Sequence, residues 1–208
     1  MAISIDDGVR KNDYMTKISD MNLDYPLTFY INGNNGGSYI PGADEEFKTA
    51  ILNAMEKGHE IANHGYAHKD FTTLNAADLT AEISTMITAI EDVTGKKPAM
   101  LRCPYGACNQ AVYDTAASLG IKAVTNWNYD TNDWRFDNSK DSADAIFKEF
   151  KAKLDASNPE TDSLVVLMHA FSLIQGETNI PRMAQAAREK GFTLVSMSTC
   201  LGLDSPWQ

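Results

Sequence analysis

Short apolar runs rich in β-branched and aromatic residues alternate along this chain with longer segments in which apolar residues recur every three to four positions. The short runs predict seven strands, which begin at Ala2, Leu27, His59, Ala99, Lys122, Ser163 and Phe192. The longer segments predict amphipathic helices. Because the two patterns alternate over the whole length, we expect an α/β fold with a parallel sheet or barrel.

The clearest helical pattern covers residues 75–95. Asn75 is a candidate N-cap, because its side chain can accept a hydrogen bond from the first turn, and Gly95 is a candidate terminator. The apolar stripe between them consists of Leu79, Ile83, Met86 and Ile90. Similar patterns predict helices over residues 13–21, 44–58, 109–119, 142–154 and 179–190.

Composition predicts a single globular domain spanning residues 1–208. Of the 208 residues, 43% are hydrophobic and 22% charged, and no linker, repeat or low-complexity tract divides them. The net charge of −10 disfavours binding to nucleic acid or an anionic membrane, because a phosphate surface needs basic side chains. This charge suits a neutral or cationic substrate better.

Neither a membrane span nor a signal peptide is visible in the sequence. No apolar run approaches the roughly 18 residues that a span requires, and no basic start precedes an apolar stretch. The first predicted strand follows directly after Met1, which is typical of a mature protein with upstream residues removed.

The three cysteines, Cys103, Cys108 and Cys200, fit neither a dense disulfide framework nor a CxxC metal pair. Cys103 and Cys108 are close enough in sequence to pair across a turn. Cys200 would then be a free thiol, or its partner would be a cysteine in removed upstream residues. The sequence favours buried free thiols over this bridge.

Residues 32–38, with the sequence NGNNGGS, follow a predicted strand and are rich in glycine and asparagine. A phosphate-binding loop at this position would need GxxxxGK[ST] or GxGxxG spacing, which is absent. We therefore predict a flexible surface loop.

A metal site is indicated by two of the four histidines, His64 and His68 in the sequence HGYAH. Spacing of i and i+4 places two imidazoles on one side of a helical turn, within reach of one ion. With Asp7 they form the two-imidazole, one-carboxylate set of a catalytic zinc site, which keeps a position open for water.

The adjacent acids in SIDDG, Asp6 and Asp7, are the second signal. Asp-Gly is also a common turn pair, which is the structural alternative. If Asp7 binds the metal, Asp6 can act as the general base that takes a proton from the attacking water. Arg102, at the end of another predicted strand, can orient Asp6 through a charge-assisted contact, although an isolated arginine usually forms a surface ion pair.

A candidate general acid, His169, ends the predicted strand that begins at Ser163. The carboxyl ends of parallel strands are where α/β barrels assemble their sites. Asp133 in DTNDW can hydrogen-bond His169 and keep it protonated, and Trp134 can form a wall that stacks on a sugar. The alternatives are a core histidine, a helix-capping aspartate and a buried tryptophan.

Five motifs in order, SIDDG, HGYAH, RCPYG, DTNDW and LMH, resemble the pattern of the polysaccharide deacetylases, also called the NodB-homology family or carbohydrate esterase family 4. The match spans residues 4–169, and the ending CLGLDSPWQ resembles the tail of fungal chitin deacetylases. The resemblance implies a distorted (β/α) barrel of seven or eight parallel strands, and metal-dependent removal of acetyl groups from carbohydrate polymers.

The resemblance also implies roles for individual residues. Asp6 matches the base, Arg102 the residue that orients it, and His169 the general acid tuned by Asp133. The metal triad is Asp7, His64 and His68. Tyr105 matches the position whose backbone N–H contributes to the oxyanion hole and which binds substrate beside Trp134, and Leu167 matches the residue lining the acetyl-methyl pocket.

Three positions depart from the family pattern without removing a reacting group. Cys103 replaces a common proline, Gly65 replaces serine or threonine, and Asp137 stands where some members have proline. We expect Gly65 to loosen the support of the histidine pair and Asp137 to reshape one groove wall. His59 matches no metal position and is interpreted as structural.

The resemblance favours N-deacetylation of N-acetylglucosamine polymers such as chitin or its oligomers, then O-deacetylation of xylan, then deacetylation of peptidoglycan. One divalent ion is implied, with Zn²⁺ as the default and Co²⁺, Ni²⁺ or Mn²⁺ as alternatives. A polymer substrate implies a secreted protein, which we expect to be monomeric. A binding protein without the chemistry predicts a damaged base or acid, and phosphoester hydrolysis predicts more carboxylate ligands.

Overall fold

Seven strands form one curled sheet in the computed structural model, which describes residues 1–8, 14–35, 45–170 and 173–208. The strands are β1 Ala2–Gly8, β2 Thr28–Ile31, β3 Glu60–Asn63, β4 Met100–Arg102, β5 Ala123–Thr125, β6 Tyr129–Asp130 and β7 Val165–His169. Their order is β5-β4-β3-β2-β1-β7-β6, and each of these strands runs parallel to its neighbours in the sheet. The expected α/β barrel of seven or eight parallel strands is confirmed, with β5 and β6 as the edges of the sheet.

Helices alternate with these strands, as the periodicity predicts. They are α1 Tyr14–Ser19, α2 Glu45–Glu56, α3 Ala76–Thr94, α4 Gln110–Ser118, α5 Lys140–Asp155, α6 Leu173–Lys190 and α7 Met197–Cys200. The ends of α3 are those predicted, because the Asn75 side chain accepts a hydrogen bond from the Asp78 N–H and Gly95 adopts a left-handed φ of 70°. Within the described residues, no helix is both long enough and apolar enough to cross a membrane.

The strand predicted at Phe192 is wrong, although the total of seven strands is as expected. Two hydrogen bonds join the backbone of this segment to the chain start. Met1 N donates to the Thr193 oxygen (2.6 Å), and Val195 N donates to the Met1 oxygen (3.0 Å). Ser196 then caps α7, so the extended chain ends before a ladder forms. The seventh strand is β6, whose two residues are too few to show a periodic pattern.

Alternation along β1 separates the two faces of the sheet. Ile3 and Ile5 pack with Phe29 and Ile61 in the main apolar cluster, which includes residues of α1, α2, α3, α5 and α6. Ser4 and Asp6 point to the opposite, inner face, where both contact Arg102. The helices therefore cover the outer face, and polar side chains of the inner face lead to the carboxyl ends of the strands.

The histidine interpreted as structural, His59, lies at the other end of β3. Its ring is buried, and its Nδ1 accepts a hydrogen bond from the Leu27 N–H at 3.1 Å. Burial, with a contribution from Lys57, lowers its pKa to about 4. His59 is thus a neutral structural side chain, as the sequence indicates.

Candidate active site

The carboxyl ends of four strands meet at one cavity of about 470 Å³. Asp6 and Asp7 come from β1, His64 follows β3, Arg102 ends β4 and His169 ends β7. Parallel strands bring such positions to one edge of a sheet. The residues that line the cavity are Asp6, Asp7, His64, His68, Tyr105, Trp127, Asp130, Trp134, Leu167 and His169.

A break in β1 explains how two adjacent acids face the same cavity. In a regular strand successive side chains point to opposite faces, so Asp6 and Asp7 would diverge. Asp7 instead adopts a left-handed φ of 63°, and the pairing register with β2 shifts between Asp6 and Gly8. The two carboxylates are therefore available for different tasks on one side of the sheet.

Asp7, His64 and His68 form the one cluster of three metal-ligating side chains found among the described residues. One ligand atom from each lies within 4.8 Å of the other two. The Asp7 Oδ1 is 3.3 Å from His68 Nε2 and 3.7 Å from His64 Nε2. This spacing and the two-imidazole, one-carboxylate donor set fit a single divalent cation such as zinc.

Hydrogen bonds at the far side of each imidazole support this arrangement. His64 Nδ1 lies 2.9 Å from the Arg102 carbonyl oxygen, which can only accept, so this nitrogen carries the proton and Nε2 keeps its lone pair for a metal. His68 Nδ1 lies 3.2 Å from the Tyr105 hydroxyl. Both rings thus present Nε2 toward Asp7.

The helical turn expected for HGYAH is wrong. Residues 64–70 form an irregular loop, because Gly65 has a φ of 78° and His68 a φ of 53°. The expected loosening at Gly65 is not seen either. A Cβ at residue 65 would lie 2.8 Å from the Phe71 ring, and the Gly65 N–H donates to the Asn63 side chain at 2.7 Å, so glycine fits this tight turn.

Arg102 holds Asp6 through one carboxylate oxygen. Its fully buried Nη1 donates to Asp6 Oδ1 at 2.7 Å and to the Ser4 hydroxyl at 2.8 Å, and its guanidinium lies 3.9 Å from the centre of the Tyr30 ring. The second oxygen, Oδ2, is 3.5 Å from His64 Nε2. The arginine therefore directs the other half of the carboxylate toward the metal ligands.

Asp133 holds His169 at two points. Its Oδ1 lies 2.7 Å from the His169 Nδ1, and its Oδ2 accepts a hydrogen bond from the His169 backbone N–H at 2.7 Å. Burial by itself lowers the pKa of the imidazole, but the hydrogen bond and charge of Asp133, with the charges of Asp6 and Asp7, raise it to about 9. A raised pKa is what the predicted role of His169 as general acid requires.

The Asp133→Asn variant is expected to lower the pKa of His169, because the charge of Asp133, the nearest of those that oppose the effect of burial, is lost. Loss of one adjacent charge shifts a pKa by about 1–3 units. A general acid must be protonated, so the alkaline limb of the kcat/KM profile should move to lower pH by that amount. Asp141→Asn, which removes an exposed charge in the first turn of α5, should leave the limb in place. An unmoved limb in Asp133→Asn would refute this coupling.

A disulfide joins Cys103 to Cys108, so the expectation of free thiols is wrong for this pair, and Cys200 remains a free thiol. The bridge spans the short 3₁₀ turn Pro104–Gly106, in which Tyr105 has a left-handed φ of 60° and Gly106 a φ of 68°. Spacing alone does not reveal whether two sulfur atoms meet, which is why the sequence does not predict this bridge. The covalent link closes the turn that carries Tyr105.

The sequence match covers more than half of this chain: the family model for polysaccharide deacetylases matches residues 1–124. This chain belongs to the polysaccharide deacetylase family. The resemblance to that family is thereby confirmed, and three of the five motifs, SIDDG, HGYAH and RCPYG, lie within the matched residues.

Known polysaccharide deacetylases align with almost the whole chain. A chitin deacetylase of Pestalotiopsis sp is 29% identical over 203 residues, covering 97% of this chain and 63% of the relative. A bifunctional xylanase/xylan deacetylase of Cellvibrio japonicus is 28% identical over 193 residues, covering 92% of this chain and 26% of the relative. The chain thus spans less than two thirds of the length of either relative.

The solved structure of the chitin deacetylase from Colletotrichum lindemuthianum shares the fold. It superposes with a TM-score of 0.88 at 24% identity, covering 100% of this chain and 90% of the other.

Two residues of the cavity, Trp127 and Asp130, are not identified by sequence reasoning. Trp127 lies against Gly106, where an added Cβ would be 3.0 Å from its ring, and Asp130 accepts a hydrogen bond from the Asn132 N–H at 2.7 Å. Asp130 is the first residue of DTNDW, so this motif is the sequence feature that could identify it as a site residue. Trp127 precedes β6, which the periodicity did not reveal.

The residues assigned to substrate by the resemblance line the same cavity. Tyr105 and Trp134 are among the most exposed aromatic side chains of the described residues, at 69% and 53%. Leu167 is buried, one position before Met168 in β7. The cavity thus combines exposed aromatic rings with a buried aliphatic side chain, a lining that is typical of ligand sites.

Proposed function

We propose that this chain hydrolyses the N-acetyl groups of N-acetylglucosamine polymers, such as chitin or its oligomers, with the help of one divalent cation. The observation that carries the proposal is the division of labour between two adjacent acids. Asp7 Oδ1 lies within 3.7 Å of the Nε2 atoms of both His64 and His68. Asp6 instead has one oxygen bound to Arg102 and the other 3.5 Å from His64 Nε2. We therefore assign Asp7 to metal binding and Asp6 to proton transfer.

A cation held by Asp7, His64 and His68 would polarise the acetyl carbonyl and make water more acidic, which is the chemistry that such a donor set supplies. Zinc is our first choice, and Co²⁺, Ni²⁺ and Mn²⁺ are the alternatives. Measurement of bound metal in the purified protein distinguishes them.

Asp6 takes a proton from the attacking water as the new carbon–oxygen bond forms, through the oxygen that Arg102 leaves unengaged. The backbone N–H of Tyr105 donates to the negative charge that develops on the carbonyl oxygen. His169 donates a proton to the nitrogen as the carbon–nitrogen bond breaks. The products are acetate and a sugar amine, so the atoms of one water are fully used.

The state of His169 suits an amide substrate. An amine must be protonated as it departs, and an imidazole with a pKa of about 9 carries the proton at neutral pH. The net charge of −10 also suits a product that becomes cationic. O-deacetylation of xylan is the second candidate, because a xylan deacetylase is among the relatives, and peptidoglycan deacetylation is the third.

The proposal extends to the setting of the enzyme. We infer that residues 1–208 act as one catalytic domain on a polymer outside the cell. The Cys103–Cys108 disulfide supports this location, because such bonds persist in oxidising compartments.

Acetate release from three substrates tests the proposed function. Metal-reconstituted protein is incubated in parallel with chitopentaose, acetylated xylan and peptidoglycan, and acetate is quantified over time. We expect the highest kcat/KM on chitopentaose, and a sample treated with a chelator should lose this activity. Activity confined to xylan or to peptidoglycan would reject the N-acetylglucosamine polymer as substrate, and no acetate from any of them would reject the proposed function.

A further inference from the structure

The segment of residues 32–35 packs against the HGYAH loop, although the sequence predicts a flexible surface loop over residues 32–38, of which 36–38 lie outside the described residues. The N–H groups of Gly33 and Asn34 both donate to the Tyr66 carbonyl oxygen, at 2.9 and 2.6 Å. A Cβ at Gly33 would lie 2.3 Å from the Tyr66 ring, so only glycine permits this close approach. The backbone of residues 33 and 34 is therefore anchored to the loop that carries the two histidines.

Asn32 fixes the backbone beside one candidate metal ligand. Its buried side-chain amide donates to the carbonyl oxygens of His64 at 2.6 Å and of Gly65 at 3.0 Å. Two carbonyl groups at a sharp turn are thus satisfied by one amide. Since the His64 ring is also held through Nδ1, the main chain and the imidazole of this residue are both restrained.

Asn35 contacts a second ligand from the opposite direction. Its Nδ2 donates to Asp7 Oδ1 at 2.9 Å, and this is the oxygen that faces the Nε2 atoms of both histidines. The same Nδ2 lies 3.4 Å from the Asn32 side-chain oxygen. A short chain of amides therefore connects the carboxylate ligand with the loop of the imidazole ligands.

We propose that Asn32 and Asn35 are positioning residues that hold Asp7 and His64 in the geometry required by the cation. The proposal rests on the metal site of the proposed function, but not on the identity of the substrate. Hydrogen bonds from outer partners orient metal ligands, and loss of one such partner costs about 10–100-fold in metal affinity.

Metal affinity of the Asn35→Ala variant is the direct test, and Asn34→Ala is its matched control. The exposed Asn34 contacts Tyr66 through its backbone, which alanine retains. Zinc or cobalt is titrated into metal-free protein against a chromophoric chelator. We expect the dissociation constant to rise about 10–100-fold in Asn35→Ala and less than about twofold in Asn34→Ala. A dissociation constant for Asn35→Ala equal to that of the control would overturn the proposal.

The Asn32→Ala variant tests the positioning role of Asn32. The Tm of the metal-free protein is measured beside the metal titration. It leaves two carbonyl groups without their donor, so both metal affinity and Tm should fall. A lower Tm with unchanged affinity would assign Asn32 to folding alone and overturn its positioning role. Asn35 is only half-buried, so Asn35→Ala should leave the Tm nearly unchanged.

These measurements separate the two proposals. Weaker metal binding by Asn35→Ala without acetate release by the parent protein would retain the positioning role and reject the proposed function. Normal metal binding by Asn35→Ala in an active deacetylase would reject only the positioning role. Absence of cation binding by the parent protein would reject both.

Discussion

Replacement of Asp6 by asparagine is expected to lower kcat by about 10²–10⁴-fold, the usual contribution of a general base. Asparagine retains an oxygen that can accept the Arg102 hydrogen bond, so the variant should fold with the side chain in place. It cannot take a proton from water at neutral pH. Because Asp7, His64 and His68 are unchanged, the metal content should remain that of the parent protein.

The control is Asp92→Asn, which makes the same substitution at an exposed position of α3. Acetate release and metal content are measured on the same preparations. Near-normal turnover in Asp6→Asn would show that another group removes the proton. Loss of the metal would place Asp6 among the ligands instead.

The Arg102→Met variant is expected to lose about 3–5 kcal/mol of unfolding free energy, because it leaves a buried carboxylate without its partner. Both members of the pair are almost inaccessible to solvent, with side-chain exposures of 0% for Arg102 and 3% for Asp6. Denaturant unfolding of the metal-free protein measures this loss. The metal-free state is chosen so that cation binding does not mask it.

A double variant, Arg102→Met with Asp6→Asn, should recover part of that stability, since the unpaired charge is removed. Arg188→Met serves as the matched control because it breaks an exposed ion pair with Asp24, and little change is expected there. A double variant less stable than Arg102→Met would contradict the explanation by unpaired charge.

The strand ends could be predicted from the sequence because burial imposes a simple pattern. Apolar runs located six of the seven strands, and polar side chains directly after them identified the side of the sheet where Asp6, Arg102 and His169 meet. The structure brings all ten residues named from the motifs to this region. Their roles in catalysis remain predictions, which the variants above test.

Backbone conformation could not be predicted in this way. The turn at Asp7, which allows adjacent acids to face one cavity, depends on a φ angle that hydrophobic periodicity does not encode. The same holds for His68, where a helical turn was expected. The contacts of Asn32 and Asn35 depend on the path of the backbone, which the glycine- and asparagine-rich composition of this segment does not encode.

The left-handed residues of the motifs have a consequence for engineering. Among the described residues, the non-glycine positions with positive φ are Asp7, His68, Tyr105 and Asn132, and each lies in one of the motifs. A side chain in this conformation costs roughly 1–2 kcal/mol, which glycine would release. Selection for heat resistance alone would therefore favour glycine at these positions, and it would remove the proposed metal ligands Asp7 and His68.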